Sequence, residues 1–76
     1  MIGGRIKLWN VERGYGFLVP DNNDRDMFAH ISVFQRADLP EPAVGQRYMF
    51  EPSTDPRGRR YASKVAREGA RPRDTG

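Results

Sequence analysis

The run Arg13-Gly14-Tyr15-Gly16-Phe17-Leu18-Val19 is followed, after a link rich in Asp and Asn, by Met27-Phe28-Ala29-His30-Ile31. Read as β-strands, whose side chains alternate between two faces, the two runs sort their residues cleanly. Tyr15, Phe17 and Val19 share one face of the first strand, and Leu18 takes the other. In the second, Phe28 and His30 share a face, with Met27, Ala29 and Ile31 opposite. The polar link favours antiparallel pairing. One face of the pair is then aliphatic (Leu18, Met27, Ala29, Ile31) and suits a core. The other sets Tyr15, Phe17, Phe28 and His30 side by side, and Gly14 and Gly16 beside the tyrosine add no bulk over the sheet.

A row of flat rings has two uses. It can pack under a second layer or against a partner chain. Left open, it offers a surface on which the bases of a single-stranded nucleic acid can stack, since every base has a π-face. Chain length bears on the choice. Seventy-six residues make one small domain, which buries only about 60% of the surface its unfolded chain exposes. Little apolar material remains to cover both faces of a sheet, and this favours an open aromatic face.

The absence of cysteine rules out a disulfide framework and a thiolate-ligated zinc module. A run of about 18 apolar residues is also missing, and Met1-Ile2-Gly3-Gly4 is not the start of a signal peptide. A soluble, cytoplasmic, monomeric protein without membrane contact is the expectation. The formal charge of +3 conceals an asymmetry. Residues 57–73 hold Arg57, Arg59, Arg60, Lys64, Arg67, Arg71 and Arg73 against Glu68 alone, a segment of +6 that leaves −3 elsewhere. Most of the cations are arginine, which can pair with phosphate and stack on a base, so a polyanion partner is indicated.

Taken in order, residues 3–11 read as a first strand. Strict alternation places Ile6, Leu8 and Asn10 on one face and Lys7, Trp9 and Val11 on the other. Glu12-Arg13-Gly14 is a tight turn, residues 15–20 a second strand closed by Pro20, and residues 25–31 a third. Ser32 is placed to cap a short helical turn through Phe34 to Arg36. Residues 37–44, with Pro40 and Pro42, read as an ordered loop. A fourth strand spans Arg47 to Glu51, with Tyr48 and Phe50 on one face. Asp55-Pro56-Arg57-Gly58 has the residue pattern of a type I turn, and a fifth strand runs from Arg59 to Arg67. Five short strands with turn signals between them predict an all-β fold, a small Greek-key barrel over residues 1–68. Residues 69–76 read as a short basic flexible tail.

At this point the motifs resemble a known family. Gly4-Arg-Ile-Lys-Leu-Trp-Asn10, Arg13-Gly-Tyr-Gly-Phe-Leu18, Asp26-Met-Phe-Ala-His-Ile-Ser32, Gly45-Gln46 and Ala62-Ser-Lys-Val65 stand in the order and spacing of the cold-shock domain. The resemblance covers residues 3 to 67, and its two ribonucleoprotein motifs together form a specific signature. It implies a five-stranded OB-fold barrel that binds single-stranded RNA or DNA, leaning to pyrimidines, and melts RNA secondary structure as a chaperone or regulator. Residue by residue, it implies stacking by Tyr15, Phe17, Phe28 and His30, backbone contacts by Lys7 and Arg13, and a polar contact by Asn10.

The departures from the family pattern matter as well. Leu8-Trp9 stands where the family usually has Trp-Phe, so a main stacking ring is missing at Leu8. The alternation above puts Trp9 beside Lys7 and predicts that the indole replaces that ring one position along. Ile31 and Leu39 stand where further aromatics are usual. Gly58-Arg59-Arg60-Tyr61-Ala62 is one residue longer than the family's usual Gly-Pro-Gln-Ala, adding two cations and a ring. Arg57, Arg59, Arg60 and Tyr61 therefore join the candidate binding residues, as does Phe34 on the helical turn, and binding is expected to lean on phosphate contacts. The Leu-Trp-Asn variant also resembles the cold-shock domain at the front of some membrane-anchored proteins.

Enzyme and metal constellations fail on inspection. His30 is the single histidine, with no third group to orient a triad. Asp21-x-Asn23-x-Arg25-Asp26 has arginine where a calcium ligand is required and lacks the following glycine. Arg13-Gly14-Tyr15-Gly16 lacks the third glycine and the helix of a dinucleotide fingerprint. A non-enzymatic binder with no cofactor and no metal is therefore expected. The rivals are a barrel whose aromatic face docks on a protein partner, and a regulator that binds double-stranded DNA.

Overall fold

The computed structural model describes residues 1–68. The expected tail at 69–76, with Arg71 and Arg73, lies outside them. Five strands, β1 (Ile2–Asn10), β2 (Tyr15–Pro20), β3 (Met27–His30), β4 (Arg47–Thr54) and β5 (Arg60–Arg67), close into a barrel in the order β1-β2-β3-β5-β4. This is the expected OB-fold. The chain-adjacent pairs β1–β2, β2–β3 and β4–β5 are antiparallel, as is the closing pair β1–β4. The remaining seam is parallel and rests on a single register pair, Phe28 with Tyr61. Among the described residues no helix is long and apolar enough to cross a membrane.

The interior is filled by the aliphatic face read from the sequence except Ile31, which opens the helix after β3 and is only part-buried because the strand ends at His30. Leu18, Met27 and Ala29 have no measurable exposure, and Ile6, Tyr48, Phe50, Ala62 and Val65 join them. Each large side chain so buried contributes about 1.5–3 kcal/mol relative to leaving it in water. A six-residue helix, α1 (Ile31–Arg36), follows β3 directly and buries Val33 and Phe34.

Several expectations are corrected here. The N-cap of α1 is His30, not Ser32: the imidazole accepts from the Ser32 backbone N–H. Phe34, counted among the binding residues, is wholly buried. It packs edge-on against Tyr48 at 5.1 Å and Trp9 at 5.5 Å, so no ring face is open to a base. β4 runs three residues past its predicted end at Glu51. A bulge between Glu51 and Pro52 lets the ladder pass the proline.

β1 carries the correction that matters most. Its pairing with β2 slips between Ile6, opposite Leu18, and Leu8, opposite Phe17. Lys7 is the extra residue of a bulge, and beyond it every side chain changes face relative to strict alternation. Leu8 joins the outer face, and Trp9 turns inward opposite Gly16. Gly16 makes this possible. A Cβ there would lie 2.6 Å from Trp9 Cε3 and 2.1 Å from the Leu8 carbonyl oxygen. The glycine is thus a seat for β1 and its indole, not a clearing over the outer face.

Candidate nucleic-acid interface

β2 and β3 pair antiparallel as expected, and the register sets Tyr15 opposite His30 and Phe17 opposite Phe28. Cross-strand pairs project on one side of a sheet, so these four side chains share the outer face. The Tyr15, Phe17 and Phe28 rings form a continuous set. Phe28 lies 5.3 Å from Tyr15 and 6.0 Å from Phe17, and Tyr15 lies 6.4 Å from Phe17, all between ring centroids. Phe28, at the centre, keeps 36% of its surface exposed. Tyr61 extends the row across the parallel seam from β5, and the added ring of the longer last loop thus joins the others.

The β1 side of the row differs from expectation. Leu8, opposite Phe17 and 49% exposed, occupies the place where a ring would continue the row. Trp9 is half-buried against the core, and its Nε1–H donates to Glu41 Oε2 at 2.8 Å. The indole fastens the 37–46 loop to the barrel end and does not stand beside Lys7. Asn10 Oδ1 accepts from the Arg13 backbone N–H at 2.9 Å, holding the β1–β2 turn. Gly14 completes that turn with φ of +70°, a conformation open to glycine at little cost.

His30 is fixed by its own cap. A backbone N–H can only donate, so the Nδ1 that receives Ser32 N–H at 3.1 Å must carry a lone pair. Neutral His30 therefore holds its proton on Nε2, the ring nitrogen not used by the cap. Ser32 Oγ lies 3.0 Å from the same Nδ1.

The cations divide into two groups. Lys7 Nζ pairs with Asp26 at 3.0 Å, Arg59 Nε with Asp55 at 2.9 Å, and Arg60 Nη2 with Asp24 at 3.1 Å. Arg60 is also part-buried, with its Nε enclosed and unpartnered. The Asp55 carboxyl is held below its ordinary value, first by the Arg59 backbone N–H and then by the Arg59 side chain. Asp24 is lowered by the Arg25 backbone N–H, with Arg60 adding to it. Arg13 and Arg57, by contrast, form no ion pair among the described residues, and neither does Arg25. That last residue lines a groove with Phe17, Phe28, Tyr61, Asp26 and Arg59. Arg25 and the three aspartates were missed in the sequence because strand periodicity says nothing of loop side chains. For Arg25, Asp24 and Asp26 the signal was the alternation of acid and base beside the second motif, and for Asp55 its place at the head of the turn before β5.

Comparison with known proteins agrees with this geometry. The family model described as the 'Cold-shock' DNA-binding domain matches residues 2–67. The major cold shock protein of Micrococcus luteus is 36% identical over 63 residues, which cover 83% of this chain and 94% of that protein. The cold shock-like protein CspE of Escherichia coli is 34% identical over 65 residues, covering 86% and 94%. A probable cold shock protein of Sinorhizobium fredii, y4cH, is 41% identical over 51 residues, covering 67% and 74%.

Proposed function

The chain belongs to the cold-shock domain family, a family of nucleic-acid-binding domains, and from that premise we propose that it acts as an RNA chaperone whose outer face stacks unpaired bases. The observation that carries the reading is the outer row of Tyr15, Phe17 and Phe28, with Phe28 open at its centre and Tyr61 beside it across the seam. Each stacked base is worth about 1–3 kcal/mol by truncation of its ring. His30 adds a directed donor at the end of the row. Its Nε2–H would suit a carbonyl oxygen of uracil or thymine, in keeping with a pyrimidine leaning.

Stacking leads this reading, and phosphate contacts follow. Arg13, Arg25 and Arg57 form no ion pair among the described residues, and a phosphate contact by each would give a salt slope of about −2. A base stacked on the protein cannot also stack within a hairpin. Weak, fast binding by a monomer therefore shifts RNA toward its open form without ATP and without a catalytic step.

The test is a fluorescence-anisotropy titration of a labelled oligothymidylate of about seven nucleotides, a length within the range of one OB-fold. Its duplex serves as the control, with wild-type protein and Phe28→Ala. Preference for the single strand and a loss of about tenfold or more in Phe28→Ala are expected. No preference, or a loss under about threefold in a folded variant, would refute the stacking reading.

A further inference from the structure

The parallel seam between β3 and β5 is joined by one register pair, Phe28 with Tyr61, so the two strands part on either side of it. Each gap is a groove, and both are walled by Phe28 and Tyr61. The first, toward Arg25 and Asp26, belongs to the face already described. The second runs the other way, toward α1. His30, Ser32, Arg36 and Ser63 line it along with the two rings.

This second groove combines what a nucleotide needs. The two rings supply apolar wall for a base. Ser63 lines the groove, its Oγ donating to the Glu51 carbonyl at 3.3 Å and keeping its acceptor capacity. His30 supplies its Nε2–H. Arg36 stands exposed in the last turn of α1 and forms no ion pair among the described residues. In that it differs from Lys7, Arg59 and Arg60. A cation left without a carboxylate, at the far end of an aromatic row, is placed to take a phosphate.

We propose that the groove between Tyr61 and Arg36 receives one further nucleotide of the bound strand, its base against the Phe28 and Tyr61 rings and its phosphate on Arg36. The proposal rests on the stacking reading above, since the strand must first cross the row to reach this groove. The occupant is a nucleotide and not a peptide because the walls repeat the pairing of ring and unpaired cation, and because the groove continues the row through two shared side chains.

Oligothymidylates of about three to eight nucleotides, titrated against wild type, Arg36→Ala, Arg36→Lys and Phe28→Ala, test it. Arg36 is exposed and alanine is a good helix former, so the variant should fold, with a thermal melt as control. For oligomers long enough to reach α1, Arg36→Ala should lose about three- to tenfold in affinity, and its salt slope should become shallower by about 0.7. Shorter oligomers should bind both proteins alike, and Arg36→Lys should keep the wild-type slope. A methylphosphonate at the linkage over Arg36 should cause the same loss in wild type and no additional loss in Arg36→Ala. Equal affinity of wild type and Arg36→Ala at every length, with Phe28→Ala still impaired, would overturn the groove and leave the row standing. Loss of the Phe28→Ala effect as well would overturn both.

Discussion

Leu8→Trp tests the bulge in β1 directly, because the two possible registers predict opposite results. With Lys7 looped out, Leu8 lies opposite Phe17 on the outer face with 49% of its surface exposed. An indole there would extend the row of rings by one and meet one more base. Ring truncations elsewhere cost about 1–3 kcal/mol per base. Leucine already offers some apolar contact, so a gain of about 1–2 kcal/mol is expected, or roughly five- to thirtyfold in affinity. The site is open and the core does not change, so the melting temperature should stay close to that of wild type. Anisotropy with an oligothymidylate, alongside the matching duplex, measures the gain, and the duplex affinity should not follow it. Unchanged or weaker single-strand binding by a folded Leu8→Trp protein would show that position 8 does not face the ligand.

Three further outcomes are expected. Trp9→Ala should lower stability by about 2–3 kcal/mol, below the range for a fully buried tryptophan since Trp9 is half-buried. In urea titrations the midpoint should fall, while the folded protein keeps its affinity within about twofold; a tenfold loss would restore Trp9 as a stacking residue. Asp26→Asn, which frees Lys7, should tighten binding and steepen the salt slope by up to about 0.7; an unchanged slope would show that Lys7 meets no phosphate. At the opposite end of the barrel Arg47 bridges Asp21 and Glu68, donating to Glu68 through Nε at 2.7 Å and Nη2 at 2.8 Å. Hydrogen bonds from Arg47 hold both carboxyls below their ordinary values, so the bridge adds stability above pH of about 4 and loses it as pH falls further. Thermal melts of Arg47→Gln should therefore lie below wild type at neutral pH and converge with it in acid; a gap that persists at low pH would refute the linkage.

The parts that could be read from the sequence are those whose two faces differ in kind. From Tyr15 to Leu18 and from Met27 to His30 ring-bearing residues alternate with residues that carry none, and a slip of one residue would bury His30 and expose Leu18. Which residues share the outer face followed from that. β1 could not be read in this way. Lys7-Leu8-Trp9-Asn10 puts two apolar residues in succession, which suits either register, and Gly16 on the neighbouring strand decides between them by leaving room for the indole. That complementarity acts between strands, and the period of one strand does not carry it. Phe34 misled for a related reason. A ring on a six-residue helix can face either way, and its neighbour Val33, buried with it, was the sign that it turns inward. Ion pairing was out of reach for a third reason: Lys7 finds Asp26, and Arg60 finds Asp24, only once the loop before β3 has folded back over the barrel.

Those pairs bear on selectivity. Duplex binding without sequence preference draws its free energy from cations meeting phosphates and releasing counterions. Here three cations beside the row already have carboxylates, Asp26, Asp55 and Asp24, whose negative charge offsets part of their pull on a phosphate. The general attraction to any polyanion is weakened, although the chain carries a net charge of +3. On the proposed reading, stacking on Tyr15, Phe17, Phe28 and Tyr61 is not weakened, and only an unpaired base can supply it. The carboxylates thus reduce the contribution a duplex shares with a single strand and spare the one it lacks. On the proposed reading, preference for the single strand arises as much from aspartates that occupy cations as from rings that hold bases. The effect of Asp26→Asn on duplex binding should then be proportionally larger than its effect on single-strand binding.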